Sequence, residues 1–267
     1  LNENTDAEIY GFEGEFVFAP TENWLFDGNI AFISTELGDT QTTDPRDPWQ
    51  GRADVSVFKD PIGTNNCAVG FGSNAPVSAS GIPAAIAGAG GFYLPTGVPL
   101  ADFGGASLPA TPGVTDSAIT SCGALEAVLA SGLFPGYEFF PSGVETNLDG
   151  NELPSTPEMT INLGAQYTHF FGNGMSLTGR VDYYWQDEYY TTAFNRAQDN
   201  IDAWDIWNAQ VTLTSADENW YVRVFGQNLA DENNIVGTYA TDPSSGLFTN
   251  AFFTEPRLLG VTLGANF

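Results

Sequence analysis

Leu259-Gly260-Val261-Thr262-Leu263-Gly264-Ala265-Asn266-Phe267 closes the sequence as an alternating strand. Leu259, Val261, Leu263, Ala265 and Phe267 fall on one face, and Gly260, Thr262, Gly264 and Asn266 on the other. A soluble sheet buries such an apolar face under a second layer. A membrane barrel turns it toward lipid and keeps the small or polar face inside.

The pattern recurs upstream. Trp207, Ala209, Val211 and Leu213 alternate with Asn208, Gln210 and Thr212, and Leu177, Gly179, Val181, Tyr183 and Trp185 alternate with Ser176, Thr178, Arg180, Asp182 and Tyr184. Met159 to Tyr167 repeats it, as does Trp220 to Gln227. Near the start, Tyr10, Phe12, Phe16 and Phe18 oppose Gly11, Glu13 and Glu15, while Trp24, Phe26, Ile30 and Phe32 oppose Asp27, Asn29 and Ala31. Seven strands result, each long enough to cross a bilayer, for which roughly 9 to 11 tilted residues suffice.

The connections alternate too. Pro20 to Asn23, Gly172 to Gly174 and Ser215 to Asn219 are tight turns, whereas Gly38 to Ser155, Thr191 to Ile201 and Asp231 to Phe253 are long. Outer-membrane barrels have short periplasmic turns and longer external loops. Phe18, Trp24, Phe171, Trp220 and Phe267 lie at the short-turn ends, and Tyr10, Phe32, Tyr183, Trp185 and Trp207 toward the long-loop ends, which predicts two aromatic girdles. No run approaches ~18 unbroken apolar residues, so any membrane crossing is made of strands. An odd antiparallel set leaves edges that lipid cannot satisfy. The chain is therefore expected to be the carboxy-terminal piece of a longer protein, and its first residues do not read as a signal peptide.

Trp204-Asp205-Ile206-Trp207-Asn208-Ala209-Gln210-Val211-Thr212-Leu213, with Asn219-Trp220-Tyr221-Val222-Arg223-Val224-Phe225-Gly226-Gln227-Asn228-Leu229-Ala230-Asp231-Glu232, resembles the penultimate hairpin of TonB-dependent receptors. Their ending is similar: an Asn-Leu-x-Asp-Glu stretch, a variable loop, then a Pro-Arg pair, here Pro256-Arg257, opening the last strand. Gly150 to Pro157 fits the family's re-entry from a surface loop. The resemblance covers about residues 7 to 37 and 148 to 267. It implies an all-β, antiparallel transmembrane barrel of about 22 strands holding an amino-terminal plug, of which this chain supplies the last seven strands. It also implies localisation in the outer membrane of a Gram-negative bacterium, with long loops extracellular. The implied partners are outer-membrane lipid, the plug and remaining strands, an inner-membrane energy-coupling protein and a small nutrient ligand.

Three regions are expected: barrel strands over 1–37, a long, partly helical extracellular loop or lid over 38–155, and barrel strands over 156–267. Residues 38–147 match no pattern. A loop this long usually carries function or is disordered. It holds both cysteines, and since a cell-surface location permits disulfides, a Cys67–Cys122 bridge is expected, stabilising by roughly 4 kcal/mol in the chain-entropy model. Asp116 or Ser117 can cap a helix with Ile119, Leu125, Val128 and Leu129 on one stripe, ending at Gly132. Phe134, Tyr137, Phe139 and Phe140, or the stretch Pro83 to Ile86, are candidates to cover it. A self-packed lid and a ligand- or partner-binding surface are both open.

Net charge is −26, from 33 acidic and 7 basic residues. That field disfavours nucleic acid. It is read as solvation of exposed loops, with a cationic or metal-loaded substrate as the alternative. Glu13, Glu15, Asp27, Arg180, Asp182 and Arg223 are expected to face the lumen or plug. No enzymatic constellation emerges. His169, the single histidine, has no metal-ligand partner at a usable spacing and reads as an interfacial polar residue. The Gly88-Ala89-Gly90-Gly91 run lacks the lysine and setting of a phosphate loop, and no cofactor is implied.

Substrate contacts are expected from the upper inner wall and loops: Gln186, Glu188, Tyr190, Phe194, Asn195, Arg196, Asp202, Trp204, Tyr239 and Phe252. Aromatics with interspersed amides suit sugar, peptide or siderophore faces equally. The expected function is energy-coupled uptake of a scarce nutrient. A passive porin-like channel and a surface adhesion protein using the long loop are the alternatives.

Overall fold

The computed structural model describes residues 5–58, 66–71, 122, 126, 129–130, 136–242 and 245–265. Phe267, the cap at Asp116 or Ser117, Ile119, Leu125, Val128, Gly132, Phe134, Pro83 to Ile86 and the Gly88–Gly91 run lie outside the described residues. In chain order the strands are β1 (Ala7–Phe18), β2 (Trp24–Leu37), β3 (Gln41–Thr42), β4 (Val55–Phe58), β5 (Cys67–Phe71), β6 (Tyr137–Phe140), β7 (Thr146–Asn147) and β8 (Met159–Phe170). They continue as β9 (Ser176–Gln186), β10 (Tyr189–Tyr190), β11 (Asn200–Ile201), β12 (Trp204–Thr214), β13 (Trp220–Gln227), β14 (Ile235–Ala240), β15 (Thr249–Phe253) and β16 (Leu258–Ala265). No helix among the described residues is long and apolar enough to cross a membrane. The chain forms two compact units, one of Leu1–Thr40, Leu148–Ala240 and Thr249–Phe267, the other of Gln41–Asn147 and Thr241–Phe248.

The first unit is built on a seven-stranded antiparallel sheet in the order β1-β2-β8-β9-β12-β13-β16. It is the unclosed wall of a barrel. Its register keeps every strand in phase: Phe12 pairs with Phe32, Ile30 with Ile161, Leu163 with Tyr183, Val181 with Ala209, Val211 with Val224 and Val224 with Val261. Because side chains alternate with period two, in-register pairing stacks the apolar residues of all seven strands into one continuous face. No layer among the described residues covers that face. Phe12 is 64% exposed, Val211 48%, Val224 55% and Leu263 76%, in rows far larger than the few hundred Å² of apolar patch a soluble monomer leaves bare.

Aromatic residues border the apolar band at both ends. Trp24 stacks on Phe26 at 5.4 Å and touches Tyr167 at 4.8 Å near the tight turns, and Tyr183 meets Trp207 at 4.5 Å toward the long connections. His169 falls on this same face beside a tight turn, with its ring edge-on to Phe171 at 4.8 Å. The tight turns are held by their own polar side chains. Ser215 donates its hydroxyl to Asp217 at 2.7 Å, and the Trp220 N–H donates back to Ser215 at 3.1 Å.

The glycines of β16 sit on the opposite face under aromatic rings. A Cβ at Gly260 would enter the Phe225 ring and one at Gly264 the Tyr221 ring, each ring lying across from its glycine in register. An aromatic laid over a cross-strand glycine restores the packing that the missing side chain forfeits.

The second unit contains more strand than the sequence pattern predicts. β3 pairs with β7, and β4, β5 and β6 form a three-stranded sheet. Cys67 is bridged to Cys122 with Cα atoms 5.8 Å apart. Cys67, Val69 and Cys122 form a small buried core, packed by Phe58, Leu129, Tyr137 and Phe139. Cys122, Glu126, Leu129 and Ala130 are helical, and Leu129 packs against the cluster of Cys67, Val69 and Cys122. Phe140 instead joins the cluster of Val55, Ala68 and Val144.

Candidate functional site

The polar face of the sheet carries the chemistry. In register, Asp27 on β2 pairs with Gly164 on β8, which pairs with Asp182 on β9. With no side chain at Gly164, Arg180 reaches across it. Its guanidinium meets Asp27 through two parallel bonds of 2.7 and 2.9 Å, and its Nε donates to Asp182 at 2.8 Å. A Cβ at Gly164 would stand 2.6 Å from Asp27 Oδ2 and collide with the Arg180 nitrogen. The fork geometry suits a two-point carboxylate contact, and three half-buried charges become one hydrogen-bonded unit. Asp27, Asn29, Asn162, Arg180, Asp182 and Tyr184 line a trough of about 500 Å³ on this face.

Glu13, Glu15 and Arg223 share the same face. Glu13 pairs with Ala31 and Glu15 with Asn29 on the exposed edge strand β1, while Arg223 lies opposite Thr212, donates to its hydroxyl at 3.2 Å and rests 5.5 Å from the Tyr221 ring centre. Unlike Arg180, it meets no carboxylate among the described residues.

Further along the face, toward the long connections, Gln186 pairs with Trp204 across β9 and β12. Tyr184 completes this cluster. Its ring lies 5.1 Å from that of Trp204, and its hydroxyl donates to Gln186 Oε1 at 2.8 Å. Sequence reasoning singled out Gln186 and Trp204 but missed Tyr184. The period-two signal was available, since Tyr184 shares the polar row with both.

At the rim, two connections interlock. Asn195, at φ +46°, accepts from the Glu152 N–H at 2.6 Å and donates to the Glu152 carbonyl at 3.2 Å, and Asn151 donates to the Ala193 carbonyl at 2.8 Å. The Asn195 amide is thus spent on scaffold. Arg196 lies 6.0 Å over Phe194, Tyr190 pairs with Asn200, and Asn200 donates to Glu188 at 3.4 Å. Asp202 is exposed beyond β11. Burial pushes the Glu152 carboxyl above its ordinary range, and the carboxylates of Glu158, Glu188 and Asp187 push it further.

Tyr239 and Phe252 stand on a different element, the β14–β15 hairpin, on one face of it, and both are more than half exposed. Tyr189 donates its hydroxyl to the Val236 carbonyl at 2.7 Å, and Thr191 and Thr238 share a hydroxyl contact of 2.9 Å, so β14 leans on the rim segment. The sequence predicts only a long connection here, from Asp231 to Phe253. A register shift between Ile235 and Gly237 breaks the alternation that would have revealed the hairpin.

The base of that hairpin is a knot of hydrogen bonds. Asn228, 3% exposed and at φ +46°, donates to the carbonyls of Glu232 and Glu255 at 2.8 and 2.9 Å, and accepts from the Glu232 N–H at 3.2 Å. Asp231 accepts from the Arg257 N–H at 3.1 Å and pairs with its guanidinium at 3.2 Å. The Thr254 hydroxyl donates to Glu232 and accepts from the Asn234 N–H. The strings Asn-Leu-Ala-Asp-Glu and Pro-Arg are thus two halves of one clasp that fixes β16 beside β13.

Residues 123–229 match the family model described as TonB dependent receptor-like, beta-barrel. That stretch is similar to the barrel of TonB-dependent receptors. Solved structures similar to the chain include the siderophore receptor PiuA from Acinetobacter baumannii (12% identity, TM-score 0.48, covering 97% of this chain). They also include the ferric yersiniabactin uptake receptor FyuA from Yersinia pestis (10%, 0.42, 98%) and the ferric preacinetobactin receptor BauA from Acinetobacter baumannii (11%, 0.35, 97%). The chain spans 21, 30 and 29% of those three chains, respectively. Members of the TonB-dependent receptor family are outer-membrane β-barrels that act as transporters, not enzymes.

Proposed function

We propose that this chain forms part of the wall and outer mouth of a receptor that takes up a scarce nutrient with energy delivered from the inner membrane. The observation that carries the reading is the pairing of a bare apolar face with a charged, hydrogen-bonded polar face on one seven-stranded sheet of this family's type. The apolar face meets outer-membrane lipid, the long connections face the medium, and the polar face encloses a plug contributed by another part of the protein. Glu13, Glu15, Asp27, Arg180, Asp182 and Arg223 are the wall groups that a plug would meet.

Uptake is the test. Cells expressing the full-length receptor accumulate labelled nutrient, and accumulation stops when the inner-membrane coupling protein is deleted or the proton gradient is collapsed. Uptake that persists unchanged refutes energy coupling and makes the barrel a passive channel. Surface attachment without uptake makes it an adhesion protein.

A further inference from the structure

We propose that Tyr184, Gln186 and Trp204 form a docking platform for an uncharged, hydroxyl-rich ligand of the saccharide class, and that anionic metal chelates are excluded from it. The inference rests on the receptor reading above and names the class of its cargo.

The platform is assembled from two adjacent strands. The Tyr184 hydroxyl holds Gln186 Oε1 at 2.8 Å, which fixes an amide that is only 8% exposed. The amide nitrogen of Gln186 donates to no acceptor among the described residues, and the buried indole N–H of Trp204 likewise meets none. Beside these unspent donors the rings of Tyr184 and Trp204 lie 5.1 Å apart, tilted by 52°. Unmatched donors call for acceptor oxygens, and ring faces call for flat apolar C–H surface. A pyranose offers both, with hydroxyl and ether oxygens around its rim and C–H groups on its faces.

Charge narrows the class. The described cations of this unit are Arg180, Arg196, Arg223 and Arg257. Arg180 is held by two carboxylates, Arg257 pairs with Asp231, Arg223 lies away from the platform beside Thr212 and Tyr221, and Arg196 is the one rim cation among the described residues. Near the platform in sequence stand Asp182, Asp187, Glu188 and Asp202, and at the same rim the carboxylates of Glu158, Glu188 and Asp187 add their repulsion to the burial of Glu152. An anion entering that field is repelled, and each neighbouring carboxylate adds to the cost. A cationic ligand gains from the field and from the ring faces but leaves the two N–H donors without an acceptor. An uncharged polyol fits both the field and the donors.

The test is binding to the full-length receptor in lipid nanodiscs, read by calorimetry and tryptophan fluorescence without any energy source. The probes are neutral malto-, cello- and xylo-hexaoses, an anionic hexagalacturonate, a cationic glucosamine hexamer and a ferric tricatecholate. The expected result is binding of at least one neutral hexaose, weakened about tenfold or more when the sugar is replaced by its acidic counterpart. Trp204→Ala then loses binding about thirtyfold, Gln186→Glu about tenfold, and Trp204→Phe, which keeps a ring and removes the donor, falls between wild type and alanine. Tightest binding of the ferric chelate, of hexagalacturonate or of the glucosamine hexamer overturns the assignment. So does a neutral series that fails to bind, or neutral binding that Trp204→Phe and Gln186→Glu leave unchanged. Each of these outcomes leaves energy-coupled import standing, because that is read separately by uptake in cells.

Discussion

Replacing Asn228 by alanine removes the side chain that ties the carboxyl end of β13 to the approach of β16. Three hydrogen bonds are lost, to the Glu232 carbonyl, the Glu232 N–H and the Glu255 carbonyl. At net values near the lower end of 0.5–1.5 kcal/mol each, since Glu232 and Glu255 are exposed and water can replace the partner, the loss is about 1.5–3 kcal/mol. A second cost comes from the backbone. Position 228 holds φ +46°, which asparagine tolerates and alanine resists by roughly 1 kcal/mol or more. Asn228→Ala is therefore expected to destabilise by about 2.5–4 kcal/mol. Asn228→Gly, which loses the same bonds without the backbone strain, is expected to cost about 1 kcal/mol less than alanine. Urea unfolding of the full-length receptor in phospholipid vesicles, followed by tryptophan fluorescence, measures both, with Trp207 and Trp220 as reporters on the strands beside the clasp. An alanine variant within about 0.5 kcal/mol of wild type, or a glycine variant less stable than alanine, refutes the reasoning.

Further predictions follow from the wall and the loops. Gly164→Ala should displace the Arg180 fork from Asp27 and cost about 1–3 kcal/mol, but much less when Asp27→Asn and Arg180→Met are already present. Additive costs in a double-mutant cycle would show that the glycine and the charges are independent. Intact mass should rise by about two daltons on reduction of Cys67–Cys122, and Cys67→Ser with Cys122→Ser should cost the second unit about 4 kcal/mol in the chain-entropy picture; no mass change sinks the bridge. Glu152 has a raised proton affinity in the folded rim, so its contribution is fully present below the ordinary carboxylate range and is lost as pH rises through its folded pKa. Glu152→Gln should accordingly raise stability at pH 7, with the gain vanishing below about pH 4.5; a gain that persists in acid contradicts the burial argument.

The long strands were legible because each keeps an apolar and a polar face over its whole length. Rows such as Val211-Leu213 and Gln210-Thr212 announce themselves in one dimension, and the observed register preserves them strand by strand. The small sheets were not legible for the opposite reason. β4, β5 and β6 span only four or five residues each, and β6 lies some 65 positions from β5, too short and too distant for periodicity to report. The clasp was visible only as strings resembling a family ending. Its physical cause, a left-handed asparagine with four hydrogen-bond partnerships, needs the fold to bring Asn208, Glu232 and Glu255 around it. Tyr184 was hidden differently, because an aromatic on a polar row reads as filler until Trp204 and Gln186 are seen beside it.

The most direct test of the account is which face of the sheet touches lipid. Single cysteines placed at Leu163, Val181, Val211 and Val224, and at Asn162, Arg180, Gln210 and Arg223, are labelled with an environment-sensitive fluorophore in the full-length receptor reconstituted into bilayers containing brominated lipid. The account predicts strong quenching at the first four positions and none at the second four. Equal quenching of the two sets, or quenching of the polar row alone, contradicts it.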